Sequence, residues 1–213
     1  VLHIACCLWA PNHHSQPFSR CYDESWVERL YRGFARNLTR PFRFVCFTDR
    51  PRDLCAGVEQ LRLRTATPGY GCLIEPFRLD ARRVPLIVCG LDMVIVGNVD
   101  HLADWCARGD RIAAPRDPYR PERLINPVVL SPPGIGSRIF EAWSGENDME
   151  WLRRFPWQPL DDLWPGQLAG GVLSLKAHDV RRKGLQGACI CYMHGTPKPH
   201  QLLHLPWVRE HWR

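Results

Sequence analysis

Short apolar runs, each closed by turn residues or an acid, constrain this chain most. "LHIACCLW" (2–9), "FRFVCFTD" (42–49) and "VPLIVCGLD" (84–92) are too short for buried helices and read as strands. Between the first two, "DESWVERLYRGFARNL" places Trp26, Leu30, Phe34 and Leu38 four residues apart, the spacing of an amphipathic helix. Asp23, or Ser25 with Glu28 at capping-box spacing, can begin it. "VEQLRL" reads as a further strand, and Pro76 interrupts a helical pattern around "LIEPFRLDARR". Strands that are apolar throughout, alternating with helices, predict an α/β fold whose mostly parallel sheet is covered on both faces. In the second half, "INPVVL", "AGGVLSLK" and "GACICYMHG" read as strands. "GIGSRIFEAW" and "DMEWLRRF" read as helices, ahead of the Trp-containing "TPKPHQLLHLPWVREHW". Its Trp207 and Trp212 are expected to pack on the core.

The 213 residues suffice for one domain with a substantial core, and 45% hydrophobic with 23% charged residues is a globular profile. No apolar run is long enough for a transmembrane segment, and "VLHIACCLWAPNHH" lacks a signal peptide's basic head and cleavage site. Among the ten cysteines, Cys6, Cys46, Cys89, Cys189 and Cys191 lie inside strand-like runs, where cysteine acts as a small hydrophobe. Reduced thiols and a cytoplasmic location are expected. Cys189, Cys191 and His194 supply three potential zinc ligands without a matching second knuckle. His13 and His14 fall in a polar loop, where exposure is expected. The net charge of +6 suits an anionic partner. Its arginines are scattered and Lys176, Lys183 and Lys198 are the lysines, so no nucleic-acid-binding stripe forms.

Ligands of parallel sheets gather beyond the carboxyl ends of the strands. That rule puts Thr48, Asp49, Gly90 and Asp92 on one rim. Asp92 interrupts "VPLIVCGLDMVIVG" with a carboxylate that buried strand would avoid. It can serve as a cation ligand at the strand end or as a turn acid capping backbone. "MHGTPKPH" can present His194, backbone N–H groups and Lys198 to a diphosphate, although His194 can equally be a core histidine. Asn126 can contact a hydroxyl-rich ligand or form an Asx turn before Pro127. Asp148 can do the same or act as a helix N-cap.

These segments resemble a known group. "LIVCGLDMVIVGNVDHL" is similar to the "YLDLDTVIVGNLDDL" segment of GT-A-fold glycosyltransferases related to glycosyltransferase family 8, the glycogenin-like group. "YMHGTPKPH" resembles that group's "HFxGxxKPW" motif. "RFVCFTD", "INPVVL" for "FNSGVM" and "NDMEWL" for "DQxWL" follow in the same order, so the resemblance spans about 42–212.

The resemblance implies a Rossmann-like GT-A domain over residues 1–213, with 1–100 as the nucleotide-binding half. Residues 101–213 would form the sugar and acceptor half with the metal and diphosphate motif. It implies metal-assisted transfer of a hexose from a UDP-sugar-like donor to an acceptor that can be a saccharide, lipid or protein. In the group, the D-x-D acids and a late histidine hold Mn²⁺ or Mg²⁺ against the donor's diphosphate, assisting the leaving group. Carried over, Asp92 and His194 are the metal ligands, Gly195 and Lys198 contact the diphosphate, and Asn126 and Asp148 contact the donor sugar or acceptor. Asp49 lies near the nucleoside and Trp9 borders the base.

Four positions depart from the pattern. Gly90 replaces the first acid of D-x-D, Leu73 a lysine, Met149 a glutamine and His200 a tryptophan. These losses admit an alternative: a catalytically degenerate GT-A protein that binds a nucleotide or a partner.

Overall fold

The computed structural model describes all 213 residues. Its strands are β1 (Leu2–Leu8), β2 (Phe42–Thr48), β3 (Val58–Arg62), β4 (Leu86–Cys89), β5 (Met93–Ile95) and β6 (Ile112–Ala114). They continue as β7 (Arg116–Asp117), β8 (Arg120–Leu124), β9 (Val128–Ser131), β10 (Trp157–Pro159), β11 (Val172–Ser174) and β12 (Ile190–Tyr192). Seven form one sheet in the order β10-β6-β9-β4-β1-β2-β3. Every pairing in it is parallel except the two made by β9. β11, β12 and β5 make a second sheet, in which β12 runs antiparallel to β5, and β7 pairs with β8 as a hairpin.

Helix α1 (Glu24–Asn37) takes Asp23 as its cap, the carboxylate accepting the Ser25 N–H at 3.0 Å. Such a cap contributes about 1 kcal/mol. The four-residue stripe puts Trp26, Leu30 and Phe34 into the core with Ile4, Cys6 and Leu8 of β1. Ala5 and Cys7 point to the opposite face, where Ile74, Phe77 and Trp151 cover them. Both faces of β1 are therefore buried, which explains its unbroken apolar sequence. Each large apolar side chain so buried contributes about 1.5–3 kcal/mol.

The segment Tyr70–Arg82 folds as successive 3₁₀ turns, which accommodate Pro76. Its buried Glu75 accepts the N–H groups of Arg64 and Thr65, and its buried Asp80 accepts those of Gly134 and Ser137. These two acids have structural partners and lie outside the site below.

The remaining helices that matter here are α2 (Asp100–Arg108), α3 (Gly136–Glu141) and α4 (Asp148–Leu152). Asn147, and not Asp148, caps α4: its side-chain oxygen accepts the Met149 and Glu150 N–H groups. That frees the buried Asp148 side chain to point elsewhere. Strands β6 to β8 and β10 are not legible in the sequence, being two to five residues long and partly polar. Trp212 is buried against Trp26 with rings 5.0 Å apart, and the Arg29 guanidinium lies 4.3 Å from its ring centroid. All ten cysteines are free; of the five expected in strands, all are buried, Cys6, Cys46, Cys89 and Cys191 lie in strands and Cys189 just precedes β12, and His13 and His14 are exposed.

Candidate functional site

A cleft of about 470 Å³ opens at the carboxyl ends of β1 and β4. That volume falls in the range of small-molecule sites. Leu8 and Trp9 line it where β1 ends, and Gly90, Leu91 and Asp92 where β4 ends. Strand β9 runs the other way, so its start meets the end of β4, and the Gly90 N–H donates to the Pro127 carbonyl at 3.0 Å. This register brings Asn126 into the cleft wall.

Asn126 and Asp148 meet there. The Asn126 Nδ2 donates to Asp148 Oδ2 at 2.5 Å. Burial pushes the Asp148 carboxyl up to about 6, although the Asn126 bond and the N–H groups of α4 act against it. Near neutral pH this group can accept either a hydrogen bond or a proton. Arg153 flanks the pair, donating to the Leu124 carbonyl at 3.2 Å and lying 3.9 Å from Asp117. Tyr119, at the tip of the β7–β8 hairpin, stands at the mouth and is 66% exposed. The sequence offered no marker for Asp117 or Tyr119, isolated polar residues in a short hairpin, or for Arg153, one of several arginines, at the end of α4.

Asp92 lies between β4 and β5. Its carbonyl accepts the Met193 N–H at 2.9 Å, and β12 pairs Tyr192 with Met93. The second sheet thereby brings the 192–198 segment to the acid. The Lys198 ammonium donates to Asp92 Oδ2 and, at 2.7 Å, to the Met193 carbonyl. It lies 4.6 Å from the Phe18 ring centroid, and the Lys198 side chain is 1% exposed. The Tyr22 hydroxyl donates to the same Oδ2 at 3.2 Å. Lys198 is thus Asp92's internal counter-ion, not an open contact for a ligand. Gly195 adopts a φ of +61°, which favours glycine, and lies outside the cleft lining. A Cβ at Gly195 would stand 3.5 Å from Nζ of the exposed Lys176.

His194 lines the cleft, with its Nδ1 3.2 Å from Ser174 Oγ. Burial, then the Lys176 and Lys198 ammonium groups, hold it below the ordinary imidazole value. The motif's spacing sets its histidine elsewhere. In H-F-x-G-x-x-K the histidine precedes the lysine by six residues, which falls on Tyr192. Tyr192 is buried at the cleft wall, and its hydroxyl has no hydrogen-bond partner.

Asp49 directly follows β2 and accepts the Ala10 N–H at 3.0 Å and Arg52 at 2.8 Å. Burial would raise its carboxyl, but these partners hold it below the usual carboxylate value. It fixes the loop after Trp9 and does not line the cleft. Of the seven anticipated site residues, the cleft gathers Asp92, Asn126, Asp148 and His194.

These residues do not fit a divalent cation. Gly90 and Tyr192 stand where the resemblance implies an acid and a histidine, and Lys198 already supplies a positive charge to Asp92. No cluster of three or more His, Cys, Asp or Glu residues suited to a metal forms anywhere, including at Cys189, Cys191 and His194. No helix is long and apolar enough to cross a membrane.

No family model and no curated protein matches the chain. Among solved structures, it is similar to an active-site mutant of LgtC, a family 8 glycosyltransferase, at 9% identity and a TM-score of 0.56. The match covers 92% of this chain and 89% of that one. The mostly parallel sheet flanked by helices, with its cleft at the carboxyl ends of β1 and β4, is a GT-A fold.

Proposed function

We propose that the cleft binds a nucleotide-sugar and that the chain is a glycosyltransferase of the hexosyltransferase type. The observation that carries this reading is the Asn126–Asp148 pair, buried in the wall of a strand-end cleft of GT-A architecture. An amide and a carboxylate held against each other leave directed donors and acceptors for sugar hydroxyls. The likeness to LgtC supports the reaction class, and the UDP-type donor rests on the resemblance of the sequence motifs. Residues 1–100 would hold the nucleotide, with Trp9 beside the base, and 101–213 the sugar and an acceptor, whether saccharide, lipid or protein.

In this reading Asn126 and Asp148 position the sugar, and Arg153 and Tyr119 border the side where an acceptor enters. The test is a panel of UDP-hexoses followed by NMR for release of UDP. Turnover by the wild type and its loss in Asp148→Asn would support transfer. Binding without turnover, even with saccharide acceptors present, would favour the second reading, a non-catalytic nucleotide-binding module. That alternative is favoured by Met149 standing in place of the motif's glutamine.

A further inference from the structure

We infer that Lys198 permanently fills the cation position beside Asp92, so that the cleft takes no divalent metal and an anionic ligand is met by the protein's own cationic side chains. The reaction class comes from the reading above, but the exclusion of metal stands on the geometry of Asp92.

Three observations converge. First, the ammonium is built in. It contacts Asp92 Oδ2 and the Met193 carbonyl, and is covered by the Phe18 and Tyr22 rings, with centroids 4.6 and 5.8 Å away. Both rings line the cleft, so the charge sits immediately behind its wall. A divalent ion at Oδ2 would have to displace Lys198 or share an oxygen with it, against direct charge repulsion. Displacement would leave a lysine that is 1% exposed without its counter-ion.

Second, the other ligand positions have changed with it. Gly90 supplies no second carboxylate, and a Cβ there would stand 3.0 Å from Asp92 Oδ1, which would have to shift to admit one. Tyr192 offers a buried phenol at the cleft wall where the resemblance implies an imidazole. One free carboxylate oxygen and the His194 imidazole, with a phenol and a glycine at the other motif positions and no third His, Cys, Asp or Glu clustered with them, are too poor a donor set for Mn²⁺ or Mg²⁺.

Third, a further cation is available on the same side. Lys176 is exposed, and its Nζ stands 3.5 Å from where a Cβ at Gly195, the residue after His194, would lie. Lys198 neutralises Asp92 from behind, and Lys176 is free to meet the anion.

All three methionines, Met93, Met149 and Met193, lie in or next to the site, which gives a test that needs no variant. Protein with ¹³C-labelled methionine methyl groups is titrated with Mn²⁺ alone and read by NMR. Unchanged linewidths at Met93 and Met193 support the inference, whereas selective broadening of both by Mn²⁺ overturns it. Pyrophosphate and UDP are then titrated calorimetrically in EDTA and in Mn²⁺. Affinities agreeing within about twofold support it, and binding only with Mn²⁺ overturns it. If no diphosphate binds in either condition, the nucleotide-sugar reading fails. The methyl linewidths then decide the metal question by themselves.

Discussion

Asn126 and Asp148, 22 residues apart, share a hydrogen bond of 2.5 Å that joins the entry of β9 to the first turn of α4. The bond holds an acid inside the cleft wall that burial would otherwise keep protonated, with its carboxyl pushed up to about 6. Charging such a group destabilises the folded state. Between its unfolded value of 3.8 and about 6 the folded chain binds the extra proton, so stability falls as pH rises through that window. Asp148→Asn removes this cost. Above the folded value the variant should be more stable than wild type by up to about 2–3 kcal/mol, and below the unfolded value the difference should vanish. Urea unfolding across that pH range measures it, and a constant difference at every pH would contradict the assignment.

Asp92→Asn should destabilise by about 3 kcal/mol, since it leaves the Lys198 ammonium buried opposite a neutral amide. Replacing both partners, as Asp92→Leu with Lys198→Met, should recover most of that loss. Equal and additive losses in a double-mutant cycle would show that the two residues do not act as a pair.

Gly90→Asp alone should not create a Mn²⁺ site. The new side chain crowds Asp92 Oδ1, whereas Lys198 and Tyr192 are unchanged. Electron paramagnetic resonance of Mn²⁺ in the presence of the variant should show the free aquo-ion spectrum. Tight binding would place the motif's acid where the resemblance implies it and return a metal to the cleft.

Lys176→Gln should weaken pyrophosphate or UDP binding about tenfold and flatten its dependence on salt, because an exposed ammonium acts through screened attraction. Calorimetry at two ionic strengths distinguishes this from a general loss of structure. Lys183→Gln, in the short helix Val180–Lys183, serves as the reference for a lost lysine charge elsewhere.

Trp212→Ala should cost about 3 kcal/mol by opening the contact with Trp26 and the Arg29 guanidinium. An unchanged thermal midpoint would mean that the 206–212 segment rests on α1 without holding it.

The parts of the fold visible in the sequence are those governed by local pattern. β1, β2 and β4 are apolar on both faces, and α1 carries a four-residue stripe, so each shows itself within its own window. The β6–β8 region does not. "IAA" and "RD" owe their strand form to neighbours outside the window, and β5 belongs to a different sheet from the β4 residues it almost touches in sequence. Asp92, Asn126 and Asp148 could each be named from strand ends and helix starts, but nothing local says that Asn126 donates a hydrogen bond to Asp148. The direction of Lys198 was equally invisible. A lysine after a Gly/Pro turn reads as an open anion contact until β12 pairs with β5 and turns it back onto Asp92. His194 and Tyr192 are separated only by spacing: residue type points to the histidine, the six-residue interval before Lys198 to the tyrosine.

β5 pairs within its sheet only with β12, and Lys198 is 106 residues from the carboxylate it neutralises. During synthesis from the amino end, β1 to β4 can assemble their parallel core while residues 93–95 still lack a strand partner. Asp92 remains an unpaired acid at an unfinished edge for as long as the 190–198 segment is inside the ribosome. The neutralised Asp92 is therefore a late acquisition: a nascent chain stalled before residue 190 would carry the seven-stranded sheet with Asn126 and Asp148, while Asp92 still lacked its lysine.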